Sequence, residues 1–315
     1  MRRRAPYAAA LLLAGALAAG CGSAVGGTDA TDESGDAVRV VATTPVVADF
    51  VRNVGGDRVT VTQILKPGVD PHDYEPSPVD VKALADADLV IESGVGLEAW
   101  LDDTVQAAGY SGEVVDSSKG INVRQGEGEE AEAGGDPHVW HDPRNAKGMV
   151  AGIAAALGGQ DPADKATYDR NATAYSAKLD ALDAANQAKI HSIPPGQRKL
   201  VTNHDAFGYY CDRYGITFVG SVIPSFDSSA ELSGRELSDL VARIRSTGVK
   251  AVFSEASLPA KTAETVAQQA GVEVVSGEDA LFADGLGPEG SPGATYLQAE
   301  QHNTDTIVRA LGGRV

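Results

Sequence analysis

The chain has 315 residues, with 26 Lys and Arg against 44 Asp and Glu and a formal net charge of −18. That acidity excludes nucleic acid as a partner, because binding it needs a basic footprint, and excludes docking on anionic lipid through a polybasic patch; it favours the approach of cations. The length suggests two domains, and a hydrophobic content of 43% is enough to build their cores.

The sequence opens MRRR, runs apolar from Ala8 to Gly20 and reaches Cys21. A basic start, a short apolar run and small residues before a cut site make a secretory signal, and the run is too short to span a bilayer as a helix. Leu17 to Cys21, LAAGC, is similar to a bacterial lipobox, with Ala18 where Leu is usual. Residues 1–20 are therefore expected to be a lipoprotein signal peptide, with Cys21 as the first mature residue carrying a two-chain lipid anchor. Residues 21–37, small and acidic, are expected to be a flexible tether.

From Val38 the pattern predicts a strand followed by a loop, then a strand over Val59–Leu65 and a helix over Pro78–Asp86. A short buried strand is expected at Ala87–Ser93, a helix at Leu97–Ala108 and an edge strand at Glu113–Val115. Arg124–Asp136, RQGEGEEAEAGGD, is an acidic, Gly-rich loop without histidine. Asp161 and Pro162 suit a helix start. Tyr168, Ala172, Tyr175, Leu179 and Leu182 then recur at three- and four-residue steps until Pro194 and Pro195 stop the helix. The pattern afterwards predicts strands at Lys199–Thr202, Thr217–Val222, Ala251–Ser254 and Val272–Val275. Helices are expected at Ala206–Tyr214, Ser233–Ser246, Lys261–Ala270 and Thr295–Leu311. Strands alternating with helices imply an α/β fold of two doubly wound parallel-sheet lobes. The expected divisions are an N-terminal lobe at 38–160, a linking long helix at 161–193 and a C-terminal lobe at 194–315.

With Cys21 given to lipid, Cys211 has no disulfide partner. It falls at helical spacing with Phe207, Tyr210 and Tyr214, as a small core hydrophobe would.

His72 in DPHDYEPSP, His138 in DPHVWHDP, His204 in TNHDAFGYY and Asp284 in LFADGLG sit beside turn-forming residues in four separate segments. Three imidazoles and one carboxylate complete the coordination of a divalent transition metal. Glu278 and Asp279 are neighbouring alternatives to Asp284. His141 could support a ligand, be a weak fifth ligand or lie on the surface. His191 and His302 read as structural. Asp70, Asp73, Asp136, Asp142 and Asp205 are near enough in sequence to orient the ligating imidazoles.

These segments, with ATTPVVADFVRNVGGD and ADLVIESGVGLEAWLDD, resemble in order the cluster A-I (cluster 9) metal-binding solute-binding lipoproteins of bacterial zinc/manganese ABC transporters. The resemblance runs from about Val38 to the C-terminus. It implies one metal in a cleft between two α/β lobes, with His72 and His138 from the first lobe and His204 and Asp284 from the second. It also implies a non-enzymatic monomer, lipid-anchored at the periplasmic or outer face of the cell membrane, that delivers its ion to a membrane permease and has a metallochaperone as a candidate loading partner. Three imidazoles favour Zn(II) as the transported ion over manganese or iron(II), which prefer more oxygen. Two rivals from other classes are a surface zinc hydrolase and a metal-stabilised adhesin. The chain has no HExxH, and three His plus Asp would leave no open zinc position for a nucleophile.

Overall fold

The first strand, β1 (Val38–Ala42), is buried on both faces except at Arg39 and runs parallel to β2 (Val59–Gln63) and β3 (Leu89–Glu92) on either side. With β4 (Val114–Asp116) they form a parallel sheet of order β2-β1-β3-β4. These strands belong to a computed structural model that describes residues 37–126, 134–230 and 233–315. The expected signal, Cys21, most of the tether and the centre of the acidic loop lie outside the described residues.

Alternate strand residues face opposite helical layers, as the two-residue period of a strand requires. Val40, Ala42, Leu89 and Ile91 pack on α1 (Pro45–Gly55), α4 (Pro143–Gln160) and α5 (Lys165–His191). Val41 and Val90 face Leu84 of α2 (Pro78–Ala85) and Leu101 of α3 (Leu101–Ala108).

Two of these helices depart from the sequence reading. The stretch after β1 is α1, not a loop: Thr44 caps it by accepting from the Val47 amide and Pro45 occupies its first turn. Its apolar Val46, Val47, Phe50, Val51 and Val54 recur at three- and four-residue steps, with Asp49, Arg52 and Asn53 on the other side, a helical pattern that the sequence reading passed over. The other, α4, begins at Pro143 behind the Asp142 cap and is rich in Gly and Ala, which carry little periodic signal.

In the second half β5 (Lys199–His204) pairs in parallel with β6 (Thr217–Ile223), and β7 (Ala251–Phe253) pairs in parallel with β8 (Glu273–Val275). The core again has two layers. Leu200, Ala251 and Phe253 face α6 (Gly208–Tyr214) and α9 (Tyr296–Ala310), and Cys211 is buried there with Phe207, Tyr210 and Tyr214. Val201, Val219 and Val252 face α7 (Gly234–Thr247) and α8 (Lys261–Ala270).

The long helix spans both halves. Tyr168, Tyr175, Leu179 and Leu182 of α5 enter the first core, and Ile190 enters the second. At ~1.5 Å per residue it is about 40 Å long. Arg213 of α6 holds Asp183 through two contacts of 2.8 and 2.5 Å, and Lys189 pairs with Asp305 of α9. The division is not clean, because Tyr209, Leu286, Tyr296 and Ala299 from the second half are part of the first core. Among the described residues no helix is long and apolar enough to cross a membrane.

Candidate metal centre

His72 follows β2, His138 follows β4, His204 is the last residue of β5 and Asp284 follows β8. All four lie at or beyond the carboxyl ends of parallel strands, where open α/β sheets place their ligands. The structure brings the four together, with one ligand atom from each inside a mutual distance of 4.8 Å. The Nε2 atoms of His138 and His204 are 3.3 Å apart, and each is 3.2 Å from Asp284 Oδ1. His72 Nε2 stands 4.0 Å from the same oxygen. Bonds of ~2.0 Å in a tetrahedral zinc shell give ligand-to-ligand edges of roughly 3.3 Å, so three of the four groups already have that spacing. The side chains of His138, His204 and Asp284 are fully buried, whereas that of His72 is 7% exposed.

Local sequence explains how the imidazoles are aimed. Asp136 Oδ1 accepts both the His138 amide, at 3.0 Å, and His138 Nδ1, at 2.8 Å. Donation from Nδ1 leaves the Nε2 lone pair for a cation. Asp136 is held in turn by Arg124, 3.3 Å from its Oδ2, and Arg124 also reaches Asp212 of α6 at 3.1 Å. The first residue of α6 is Gly208 because this guanidinium lies against it: a Cβ there would stand 2.2 Å from Arg124 Nη1. Tyr209 Oη accepts from the Arg124 amide and donates to the Asp136 carbonyl, pinning both ends of the acidic loop. Asp70 Oδ1 accepts the His72 amide at 3.0 Å.

For His204 the orienting group is Glu255, which the sequence reading missed. Its Oε1 accepts the His204 amide at 3.0 Å and its Oε2 meets Nδ1 at 2.5 Å. Glu255 follows β7, and only the placement of β7 beside β5 links the two. Of the candidate aspartates, Asp142 caps α4 and binds Arg144 instead. Asp279 lies on the surface paired with Arg309, away from the cluster.

His141 is neither a ligand nor a surface group. It is fully buried, with Nδ1 2.7 Å from Glu300 Oε1 and Nε2 3.0 Å from the Ala283 carbonyl. His302 contacts the Ala280 carbonyl at 3.0 Å, and His191 is exposed at the end of α5.

The electrostatics suit a cation. Burial lowers the His72 pKa and keeps that ring neutral. Burial would also lower that of His138, but hydrogen bonds to Asp136 and Asp284 outweigh it and raise it to about 9. The same opposition, with Asp284 and Glu255 as partners, raises His204 well above its ordinary value. Burial would raise the Asp284 carboxyl, yet the charges and hydrogen bonds of His204 and His138 hold it well below the usual range. His72 Nε2 and both Asp284 carboxyl oxygens are buried without a hydrogen-bond partner in good geometry. Unsatisfied buried polar atoms cost about 1–3 kcal/mol each, and a divalent cation among them would remove that cost. The donor set therefore fits a transition metal.

Residues 40–310 match the family described as zinc-uptake complex component A, periplasmic. The chain belongs to this family. Its members are metal-binding solute-binding proteins of ABC transporters, not enzymes, which sets the hydrolase aside. Among curated relatives, the manganese-binding lipoprotein MntA of Halalkalibacterium halodurans is 34% identical over 94% of both chains. The manganese ABC transporter substrate-binding lipoprotein PsaA of Streptococcus mitis is 31% identical over 88% of this chain and 90% of its own. Among solved structures, the periplasmic zinc binding protein TroA from Treponema pallidum superposes with a TM-score of 0.81 at 33% identity, covering 88% of this chain and all of the other. That similarity agrees with the two-lobed α/β fold expected from the sequence.

Proposed function

We propose that this chain captures Zn(II) outside the cytoplasmic membrane through His72, His138, His204 and Asp284 and hands it to the permease of an ABC transporter. The observation that carries this reading is the convergence of three imidazoles and a buried carboxylate, with His138, His204 and Asp284 already at near-tetrahedral spacing and His72 Nε2 4.0 Å from Asp284. Three neutral nitrogen donors suit a borderline ion such as zinc. In this reading Cys21 carries the lipid anchor and the chain works as a monomer, with lobes at 38–160 and 194–315 flanking the helical link. A metallochaperone is a candidate loading partner.

Manganese or iron(II) is the second reading. Asp284 Oδ2 is buried and has no hydrogen-bond partner among the described residues, so the carboxylate can coordinate through both oxygens and supply the oxygen-richer shell those ions prefer. The manganese names of the relatives above point the same way.

The test is metal analysis of residues 22–315, followed by competitive zinc and manganese titration of the wild type and His204→Ala. One equivalent of zinc, taken up reversibly and weakened about 100-fold or more in the variant, is expected; this size follows from loss of one of four ligands, on the order of 3 kcal/mol or more. Preferential manganese or iron binding would move the cargo to the second reading. Zinc that cannot be exchanged would favour the adhesin, and the absence of stoichiometric metal would overturn the site.

A further inference from the structure

Two donors from one short turn converge on the carbonyl of Ala283, the residue before Asp284. His141 Nε2 lies 3.0 Å from it and Trp140 Nε1 lies 3.2 Å from it. A carbonyl only accepts, so His141 Nε2 carries a hydrogen and has no lone pair for a metal. The other ring nitrogen is engaged by Glu300, and the ring is stacked on Phe207 with centroids 4.5 Å apart. Its orientation is thus fixed at both nitrogens and on one face. One residue earlier in the chain, Phe282 donates its amide to Asn303 Oδ1 and accepts from Asn303 Nδ2, both at 2.8 Å. The main chain leading into Asp284 is therefore held by four hydrogen bonds, two of them from the turn that follows His138.

Glu300 is a buried carboxylate on α9, and burial pushes its pKa up. A buried polar pair of this kind contributes little net stability compared with apolar packing. What the pair does provide is a fixed distance between the His138 turn and the Asp284 loop.

We propose that His141, oriented by Glu300, is a positioning residue for Asp284. It holds the Ala283 carbonyl so that the neighbouring carboxylate stays within reach of the three imidazoles, and so tunes affinity without touching the ion. This rests on the reading of the four-residue cluster as a metal site. Groups that orient metal ligands typically change affinity 10- to 100-fold when removed.

The experiment is a competition titration of zinc against a chelator in wild type, His141→Asn, His141→Gln and Asp284→Ala, and in each His141 variant combined with Asp284→Ala. Glutamine places an amide donor near the position of Nε2 and keeps the bond to Ala283; asparagine does not reach it. The expected result is a loss of roughly 10-fold in His141→Asn, recovery in His141→Gln, and no further loss from either in the Asp284→Ala background. Equal losses with and without Asp284 would mean that His141 merely supports the fold and would overturn the proposal. Wild-type affinity in His141→Asn would overturn it too. Should His141→Asn not fold, Trp140→Phe removes the other donor to the same carbonyl: a loss that vanishes in the Asp284→Ala background supports the proposal, and unchanged affinity refutes it. If the wild type itself takes up no zinc or manganese, the metal-site reading falls and takes this inference with it.

Discussion

His138 is flanked by two carboxylates, Asp136 at Nδ1 and Asp284 at Nε2, and its pKa of about 9 in the metal-free protein means that it carries a proton at neutral pH. His204, raised in the same way, carries another. An incoming cation must displace both, so metal affinity is expected to rise steeply between pH 6 and 8, approaching about 100-fold per pH unit for two protons. Titrations in that range check it, and a pH-independent affinity would exclude both histidines as ligands. The same shift sets the stability of the metal-free fold. A raised histidine pKa means that the folded state holds its proton more tightly than the unfolded chain does. The stabilisation is complete below the ordinary value of 6.5 and disappears as the pH rises through about 9. Calorimetry of metal-free protein should therefore show a falling Tm from pH 6.5 to 9.5, whereas the loaded protein should gain stability relative to it over the same span.

At the scale of loops and strands, the His72 segment is the exposed side of the centre. Asp70 accepts the His72 amide through one oxygen and the Ser228 hydroxyl through the other, the latter at 2.5 Å from the loop after β6. A hydrogen bond to a charged group contributes about 1.5–3 kcal/mol. Ser228→Ala should speed metal release on the order of 10-fold by stopped-flow chelation, with the equilibrium fold unchanged; equal release rates would show that this tie does not gate the site. How much of such a centre can be read in advance depends on how local its contacts are. The Asp136–His138 pair lies within one turn, and the four converging residues each stand in a recognisable turn-rich segment. Glu255 was not legible because its contact with His204 spans 51 residues and exists only once β5 and β7 lie side by side. The choice among the alternatives for His141 was out of reach for the same reason, its partner being 159 residues away on α9. Among the helices, α5 announced itself by a long one-sided apolar stripe. In contrast, α1 was read as a loop although Val46, Val47, Phe50, Val51 and Val54 recur at helical steps opposite Asp49, Arg52 and Asn53; the helix is only three turns long, so its pattern repeats few times.

Across the whole molecule, two routes could admit an ion: a wide separation of the halves or a local opening near His72. Separation would expose Tyr209, Leu286 and Tyr296, which the second half inserts into the first core. At ~1.5–3 kcal/mol per large apolar side chain, that costs roughly 5 kcal/mol or more. It would also strain α5, whose residues enter both cores and whose Asp183 and Lys189 bind α6 and α9. Breaking the single Asp70–Ser228 tie costs about 1.5–3 kcal/mol, so local opening dominates. Neighbouring backbone is held as well: Tyr209 pins Arg124 and Asp136, and Asn303 and His141 hold residues 282 and 283. Metal loading should therefore leave the radius of gyration from small-angle scattering unchanged. It should slow amide exchange in the segments around His72, Ser228 and Asp284 while leaving α5 as protected as before. A contraction of the whole particle on loading, or new protection spread along α5, would mean that the helix flexes and that the halves close as bodies; identical exchange everywhere would mean that the site is fully formed before the ion arrives.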